Sequence, residues 1–235
     1  MADAAVLDRN DVQGLFDALK SRGLAVVAPT VEDGAVVYKP TTGTDSLPAG
    51  VGDVQEGGHY RLTDRGDGAL FGYTVSPQSW KRYLHPPEQV IWRARKRGRS
   101  FDIDEVTEKP GAFAFVGVRP CELKAIRIQD RVFTGGPFTD GAYAARRAEV
   151  FMVVVNCGQA GNTCFCDSMG AGPAAESGFD LALTEILDDD GGHRFLVGAR
   201  GRPELQGADG GRKGVFRIIR PGGLHRQFRV PERDV

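Results

Sequence analysis

Cys157, Cys164 and Cys166 fall within ten residues, in Asn156-Cys157-Gly158-Gln159-Ala160-Gly161-Asn162-Thr163-Cys164-Phe165-Cys166. The chain's one other cysteine, Cys121, follows Gly117-Val118-Arg119-Pro120. Four convergent thiolates suit an iron-sulfur cluster or a zinc ion, and the choice separates a redox relay from a structural brace. The cysteines are separated by 35, six and one residues. That is neither the paired Cys-x2-4-Cys knuckles of a zinc ribbon nor the Cys-x2-Cys-x2-Cys-x3-Cys-Pro run of bacterial ferredoxins. Spacing alone therefore leaves a single metal or cluster site open against reduced structural or redox thiols.

The elements that must carry these thiols are legible. Phe113-Ala114-Phe115-Val116-Gly117-Val118 has the continuous apolarity of a strand buried on both faces, and Cys121 sits just beyond it. Residues 122–128 fit a short helix. Cys121 is thus expected at a strand-to-helix turn, near helical N–H groups that favour a thiolate. Val150-Phe151-Met152-Val153-Val154-Val155 is the clearest buried strand and delivers Asn156-Cys157 at its end. If the two strands are parallel neighbours, both thiols emerge on the sheet edge where ligands of open parallel sheets bind. The Cys164-x-Cys166 pair must curl toward a common centre and so belongs in a loop. Gly158, Gly161 and Asn162 supply that loop's freedom.

Elsewhere, residues 11–22 place Val12, Leu15, Phe16 and Leu19 at helical spacing, with Gly23 as a stop. Residues 24–28 and 35–38 read as strands joined by the turn Glu32-Asp33-Gly34. Residues 41–68 show weak periodicity, with short strands expected at 60–62 and 69–73. Ser76-Pro77 opens a helix through Trp80 and Leu84, and Pro86-Pro87 ends it and starts another through Arg97. A helix is expected over 143–149, and strands over 179–187 and 194–197 with the turn 188–192 between them. The fold class is α/β, a small mixed sheet flanked by helices with the cysteine loops at strand ends.

At 41% hydrophobic and 26% charged residues the 235-residue chain has the composition of a folded protein. Its formal net charge of -1 gives no general attraction to nucleic acid or anionic lipid. No apolar run approaches the roughly 20 residues that span a bilayer, and the N-terminus has no leader pattern. A cytoplasmic location is expected, where clustered thiols are metal ligands or redox groups more often than disulfides. Residues 199–235 carry nine Lys or Arg against four Asp or Glu, and the expected organisation is a domain over 1–198 followed by a basic Gly/Arg-rich irregular tail.

Several features have plainer readings. Gly170-Ala171-Gly172-Pro173-Ala174-Ala175 matches G-x-G-x-x-A, but it follows a cysteine loop rather than a strand and reads as a turn packed against that loop. The basic run Arg93, Arg95, Lys96, Arg97 and Arg99 reads as a solvated helix face in preference to a docking site. His59, His85, His193 and His225 are scattered without ligand spacing. Trp80 and Tyr83 read as core, and Arg119 either lowers the thiol pKa values or pairs with a carboxylate. No catalytic set emerges.

Gly117-Val118-Arg119-Pro120-Cys121-Glu122-Leu123-Lys124-Ala125-Ile126, Tyr143-Ala144-Ala145-Arg146-Arg147, Asn156-Cys157, and Cys164-Phe165-Cys166-Asp167-Ser168-Met169-Gly170-Ala171-Gly172-Pro173 occur in this order. Ser79-Trp80-Lys81-Arg82-Tyr83-Leu84-His85-Pro86-Pro87 lies upstream of them and Gly178-Phe179-Asp180-Leu181-Ala182-Leu183-Thr184 downstream. Together they resemble the N-terminal domain of an electron-transfer family that contains the beta subunits of cytosolic NiFe sulfhydrogenases and the corresponding iron-sulfur subunits of anaerobic sulfite reductases. The likeness runs from about Asp11 to Val197. It implies one 4Fe-4S cluster on Cys121, Cys157, Cys164 and Cys166. It also implies an iron-sulfur electron-transfer subunit, itself non-catalytic, between a flavoprotein or nucleotide-linked partner and a catalytic hydrogenase or reductase subunit. The family continues into a C-terminal dicluster ferredoxin domain, whereas no cysteine follows Cys166. A short paralogue, a truncation or a reading-frame change is the expectation. The alternatives are a structural metal-binding or assembly module holding zinc, without electron transfer, and a thiol-redox protein using Cys164 and Cys166.

Overall fold

The computed structural model describes residues 4–106, 111–188, 190–199, 215–219 and 225–229. Its centre is a seven-stranded mixed sheet. In chain order the strands and helices of this body are β1 (Ala4–Asp8), α1 (Val12–Ser21), β2 (Ala25–Glu32), β3 (Ala35–Pro40), β4 (Val51–Glu56), β5 (His59–Asp64), α2 (Lys81–Leu84), β6 (Trp92–Arg97) and β7 (Ser100–Glu105). They continue with β8 (Phe113–Val118), α3 (Pro120–Thr134), α4 (Gly141–Ala148), β9 (Phe151–Val155), β10 (Leu181–Leu187) and β11 (His193–Ala199). The large sheet runs β1-β11-β10-β9-β8-β2-β3. Its four middle strands β10, β9, β8 and β2 pair in parallel, and antiparallel strands close it on either side.

Both faces of the parallel centre are covered, which is why its strands are apolar without interruption. On one face Val26, Ala28, Ala114, Val116, Val153 and Val155 pack with Val12, Leu15, Phe16 and Leu19 of α1 and with Phe71 and Tyr73. On the other, Val27, Phe115, Val118, Met152 and Val154 pack with Leu123 and Ile126 of α3, Tyr143 of α4, and Trp80 and Leu84. Successive residues of each strand alternate between the two cores, as the pleat requires. Trp80 stacks on Tyr38 at 3.9 Å and on Phe115 at 4.8 Å, so its core reading holds.

The helices over 12–21 and 141–148 and the strands ending at Val118 and Val155 lie where their periodicity placed them. The turn at Asp33 and Gly34 has φ of 49° and 72°, the left-handed pair that a tight hairpin between β2 and β3 needs. Four expectations need correction. The helix foreseen from Ser76 is only the single turn of α2, because the Ser76 hydroxyl donates to Val36 O and accepts from Gln78 N instead of capping a helix. The helix foreseen through Arg97 is the hairpin β6–β7. Its basic residues alternate at period two, and Gly98 turns the chain with φ of 62°. Residues 69–73 form turns rather than a strand, and β4–β5 is a full hairpin where only 60–62 was foreseen. β1, which pairs with β11, was not foreseen, and α3 runs well past residue 128.

Within 199–235, β12 (Val215–Ile219) and β13 (His225–Arg229) pair antiparallel with each other. The rest of that stretch beyond Ala199 lies outside the described residues. Among the described residues no helix is long and apolar enough to cross a membrane.

The β6–β7 hairpin stands outside both cores and leaves Trp92, Phe101 and Ile103 exposed, whereas Phe115 is fully buried between aromatic rings. Phe115→Ala is expected to cost about 3–5 kcal/mol of folding stability, and Ile103→Ser less than about 0.5 kcal/mol. Urea unfolding followed by circular dichroism checks both. Equal losses would contradict this division between core and surface.

Candidate metal centre

β8 and β9 are parallel neighbours, so their carboxyl ends deliver Arg119-Pro120-Cys121 and Asn156-Cys157 to one edge of the sheet. β8 reaches that edge through a bulge. Its register against β9 slips between Val116 and Val118, and Gly117 between them has φ of 93°. A Cβ at Gly117 would stand 3.0 Å from Pro29 and 3.2 Å from Phe71, so both conformation and space demand glycine. The bulge sends Val116 into one core and Val118 into the other, and aims the next residues at the start of α3. Arg119 is the N-cap, Pro120 the first helical residue and Cys121 the second. Glu122 reaches back to accept from Arg119 N at 2.8 Å, and α3 proceeds with Leu123 N donating to Arg119 O at 2.9 Å.

Asn156 clamps the other side. Its backbone N–H donates to Leu183 O at 2.8 Å, its Nδ2 to Thr184 Oγ1 at 2.9 Å, and its Oδ1 accepts from Ala175 N at 3.0 Å. Cys157 N donates to Pro173 O at 3.0 Å. The beginning and the end of the cysteine loop are thereby tied together beside β10. Within the loop, Cys164 N donates to Gly161 O at 3.0 Å, and Gly161 N returns a bond to Cys164 Sγ at 3.3 Å. Cys166 O accepts from Met169 N and Ala171 N. A Cβ on Gly172 would stand 3.2 Å from Cys166 Sγ and 3.7 Å from Pro120 Cβ. The G-x-G-x-x-A stretch is therefore a turn packed on the cysteine loop, and it brings Cys166 against the turn that carries Cys121.

The outer wall comes from the weakly periodic region. Asp53 on β4 accepts from Thr74 N at 2.5 Å and from Thr74 Oγ1 at 2.6 Å. Gln55 donates to Asp53, Thr74 and Val75 and accepts from Thr163 Oγ1 at 3.2 Å. Arg65, paired with Asp67, donates to Gly72 O and to Gln159. Asn156, Gln55 and Arg65 are positioning residues that periodicity does not reveal, because their partners lie 19 to 108 positions away.

Beneath the thiols lies Arg119, 1% exposed. Its Nη2 donates to Phe71 O at 2.7 Å and Tyr73 O at 2.6 Å, its Nη1 to Asn156 O at 3.4 Å, and the guanidinium sits 4.6 Å from the Tyr73 ring centre. Its Nε is buried without a partner. Of the two expectations for this residue, carboxylate pairing is not found among the described ion pairs. Its charge does act on a thiol. Burial pushes the Cys157 thiol up, the Arg119 charge pulls it back down, and the charges of Cys166, Cys164 and Glu122 push it up again. Burial likewise pushes Cys121 up to about 12, with Glu122, Cys157 and Cys166 adding to it and the Glu122 backbone N–H opposing.

Cys121, Cys157 and Cys166 thus share one electrostatic neighbourhood, and Cys164 joins it through Cys157. The cysteines are free thiols; Cys164 is exposed and the other three are half-buried. Among the described residues no group of three or more His, Cys, Asp or Glu side chains is arranged to hold a metal ion. The donor chemistry suits a thiophilic positively charged group all the same. The thiols are held protonated by mutual repulsion and burial, which a bound cation relieves, and a buried guanidinium and a backbone N–H to sulfur stand beside them. His85 instead stacks on Phe133 at 4.7 Å and His193 bonds Glu185 at 2.7 Å, in keeping with histidines that are not ligands.

Fold and site together define an α/β domain with four thiols gathered at the carboxyl edge of a parallel sheet centre. The chain is similar to the sulfhydrogenase 2 subunit beta of Pyrococcus furiosus, with 35% identity over 111 residues. The match covers 46% of this chain and 32% of that protein, so the chain spans about a third of the curated relative it matches. The resemblance to sulfhydrogenase beta subunits read from the motifs therefore holds. No protein-family model matches the chain, and no solved structure does.

Thiol alkylation checks the site's electrostatics. At pH 8 without metal, iodoacetamide is expected to label exposed Cys164 first and Cys121 last, since the thiolate is the nucleophile and Cys121 holds its proton most tightly. Peptide mass spectrometry over time reads the order. Early labelling of Cys121 would contradict it.

Proposed function

We propose that this chain is an iron-sulfur electron-transfer subunit of a cytoplasmic oxidoreductase complex, of hydrogenase or sulfite-reductase type, and that Cys121, Cys157, Cys164 and Cys166 hold one 4Fe-4S cluster. One observation carries the reading. All four cysteines of a chain similar to a sulfhydrogenase beta subunit gather at the carboxyl ends of β8 and β9 and in the loop that follows.

When bound, such a cluster supplies one-electron chemistry that no side chain of the site offers. The chain's own residues would hold and shield it. Cys121 and Cys157 attach to the rigid sheet edge, and Cys164 and Cys166 to a loop fixed at both ends by Asn156 and Pro173. The N–H of Gly161 donates to the Cys164 sulfur, the kind of bond that tunes such sites. The two cores close the sheet side to water. Cys164 and Phe165 are exposed, and that is the side from which a flavoprotein or a catalytic hydrogenase or reductase subunit would approach.

Anaerobic reconstitution with ferrous iron and sulfide is expected to load about four iron and four sulfide per chain, with broad visible absorption. Each single Cys→Ser change at the four positions is expected to lower iron retention, Cys121→Ser and Cys157→Ser without loss of fold. A folded chain that binds neither iron nor sulfide sinks the reading. Zinc retained at one ion per chain without visible absorption would make the site a structural brace instead.

A further inference from the structure

Arg119 is a charge in an expensive place. It is 1% exposed, its three hydrogen-bond acceptors are backbone carbonyls, and no described ion pair includes it. Carbonyl dipoles and the Tyr73 ring solvate a guanidinium but do not neutralise it, and a buried charge without a counter-charge costs several kcal/mol by general estimates. The one carboxylate on the same turn, Glu122, is committed elsewhere: Oε1 accepts from Tyr38 Oη at 2.6 Å and Oε2 from the Arg119 backbone N–H at 2.8 Å. The Arg119 Nε is left buried and unpartnered. What adjoins the guanidinium is the site itself. Arg119 bonds the carbonyl of Asn156, the residue before Cys157, and lies two residues before Cys121.

We propose that Arg119 is the fixed counter-charge of the thiolate site, and that it governs how readily a group bound by those thiolates accepts an electron. The inference rests on the iron-sulfur reading above. Four thiolates around a cluster carry net negative charge, and one-electron reduction adds another. A guanidinium that cannot lose its proton favours the more negative state, so it raises the reduction potential. Arg119 is a positioning and electrostatic residue. Its three carbonyl bonds also join residues 71–73 to the end of β9, so a test must separate charge from scaffold.

The full chain is loaded anaerobically with ferrous iron and sulfide, then titrated with dithionite as electron donor against redox mediators, with visible absorbance and electron paramagnetic resonance as readouts. For Arg119→Gln the ratio of reduced to oxidised site at a given potential is expected to fall tenfold or more, which is a shift of about 59 mV to lower potential for a one-electron couple. Arg119→Lys, which keeps the charge and loses the fork of carbonyl bonds, is expected to stay within about threefold of the unaltered chain. A Gln variant that is folded by circular dichroism but does not retain iron, beside a Lys variant that does, supports the same role. Wild-type potential in the Gln variant, or equal shifts in Gln and Lys, overturns the inference and leaves the cluster reading intact. If the Gln variant does not fold, the Lys variant decides: near-wild-type potential supports the counter-charge and a tenfold shift overturns it. An unaltered chain that takes up no iron sinks the cluster reading, and this inference with it.

Discussion

The parallel pairing of β8 with β9 is the constraint on which the site depends. Parallel strands send their carboxyl ends to the same edge, so the residues after Val118 and after Val155 meet although 35 residues separate Cys121 from Cys157. The connection between these strands, α3 and α4, must then cross one face of the sheet, and α1 with residues 70–73 covers the other. Burial on both faces is what holds the pairing, and a core fully excluded from water makes the edge rigid. The Gly117 bulge is a local departure from the ladder, and it turns β8 into the helix that carries Cys121.

The edge so formed concentrates opposing electrostatic demands. Burial favours neutral thiols, and mutual repulsion reinforces it, so Cys121 and Cys157 hold their protons above the usual thiol range. Arg119 pulls the other way. Its guanidinium is retained in a buried position by carbonyls from Phe71, Tyr73 and Asn156, and its charge works on Cys157 against the effect of burial. An apo site with raised thiol pKa values and an unneutralised cation beneath it is poorly balanced, and binding a thiophilic group as thiolates resolves both. The outer brace of Asp53, Gln55 and Arg65 holds the loop without adding a ligand.

Legibility followed the range of the forces involved. The strands ending at Val118 and Val155 and the helix with Val12, Leu15, Phe16 and Leu19 are readable because burial of an apolar face imposes a short period. The Arg93–Arg99 stretch reads as a helix since charge content carries no period by itself, whereas its alternation and the left-handed Gly98 mark the hairpin it forms. The hairpin β4–β5 is only half visible, because its strands are held by polar contacts to the cysteine loop as much as by apolar burial. Asn156 and Arg119 stand in recognisable motifs, yet their partners cannot be named from those motifs.

From the order of its residues alone this protein is an α/β domain that commits every cysteine to one neighbourhood, and its motifs resemble sulfhydrogenase beta subunits. Those properties are local: residue identity, spacing and the period of apolar side chains suffice for them. Only the tertiary structure decided that the two strands are adjacent and parallel, that the G-x-G-x-x-A turn packs on Cys166, and that Arg119 lies buried among carbonyls with no carboxylate to meet it. Such facts depend on which distant segments share a low-dielectric interior. A buried charge acts through space on whatever the fold brings near it, and no spacing along the chain records that distance.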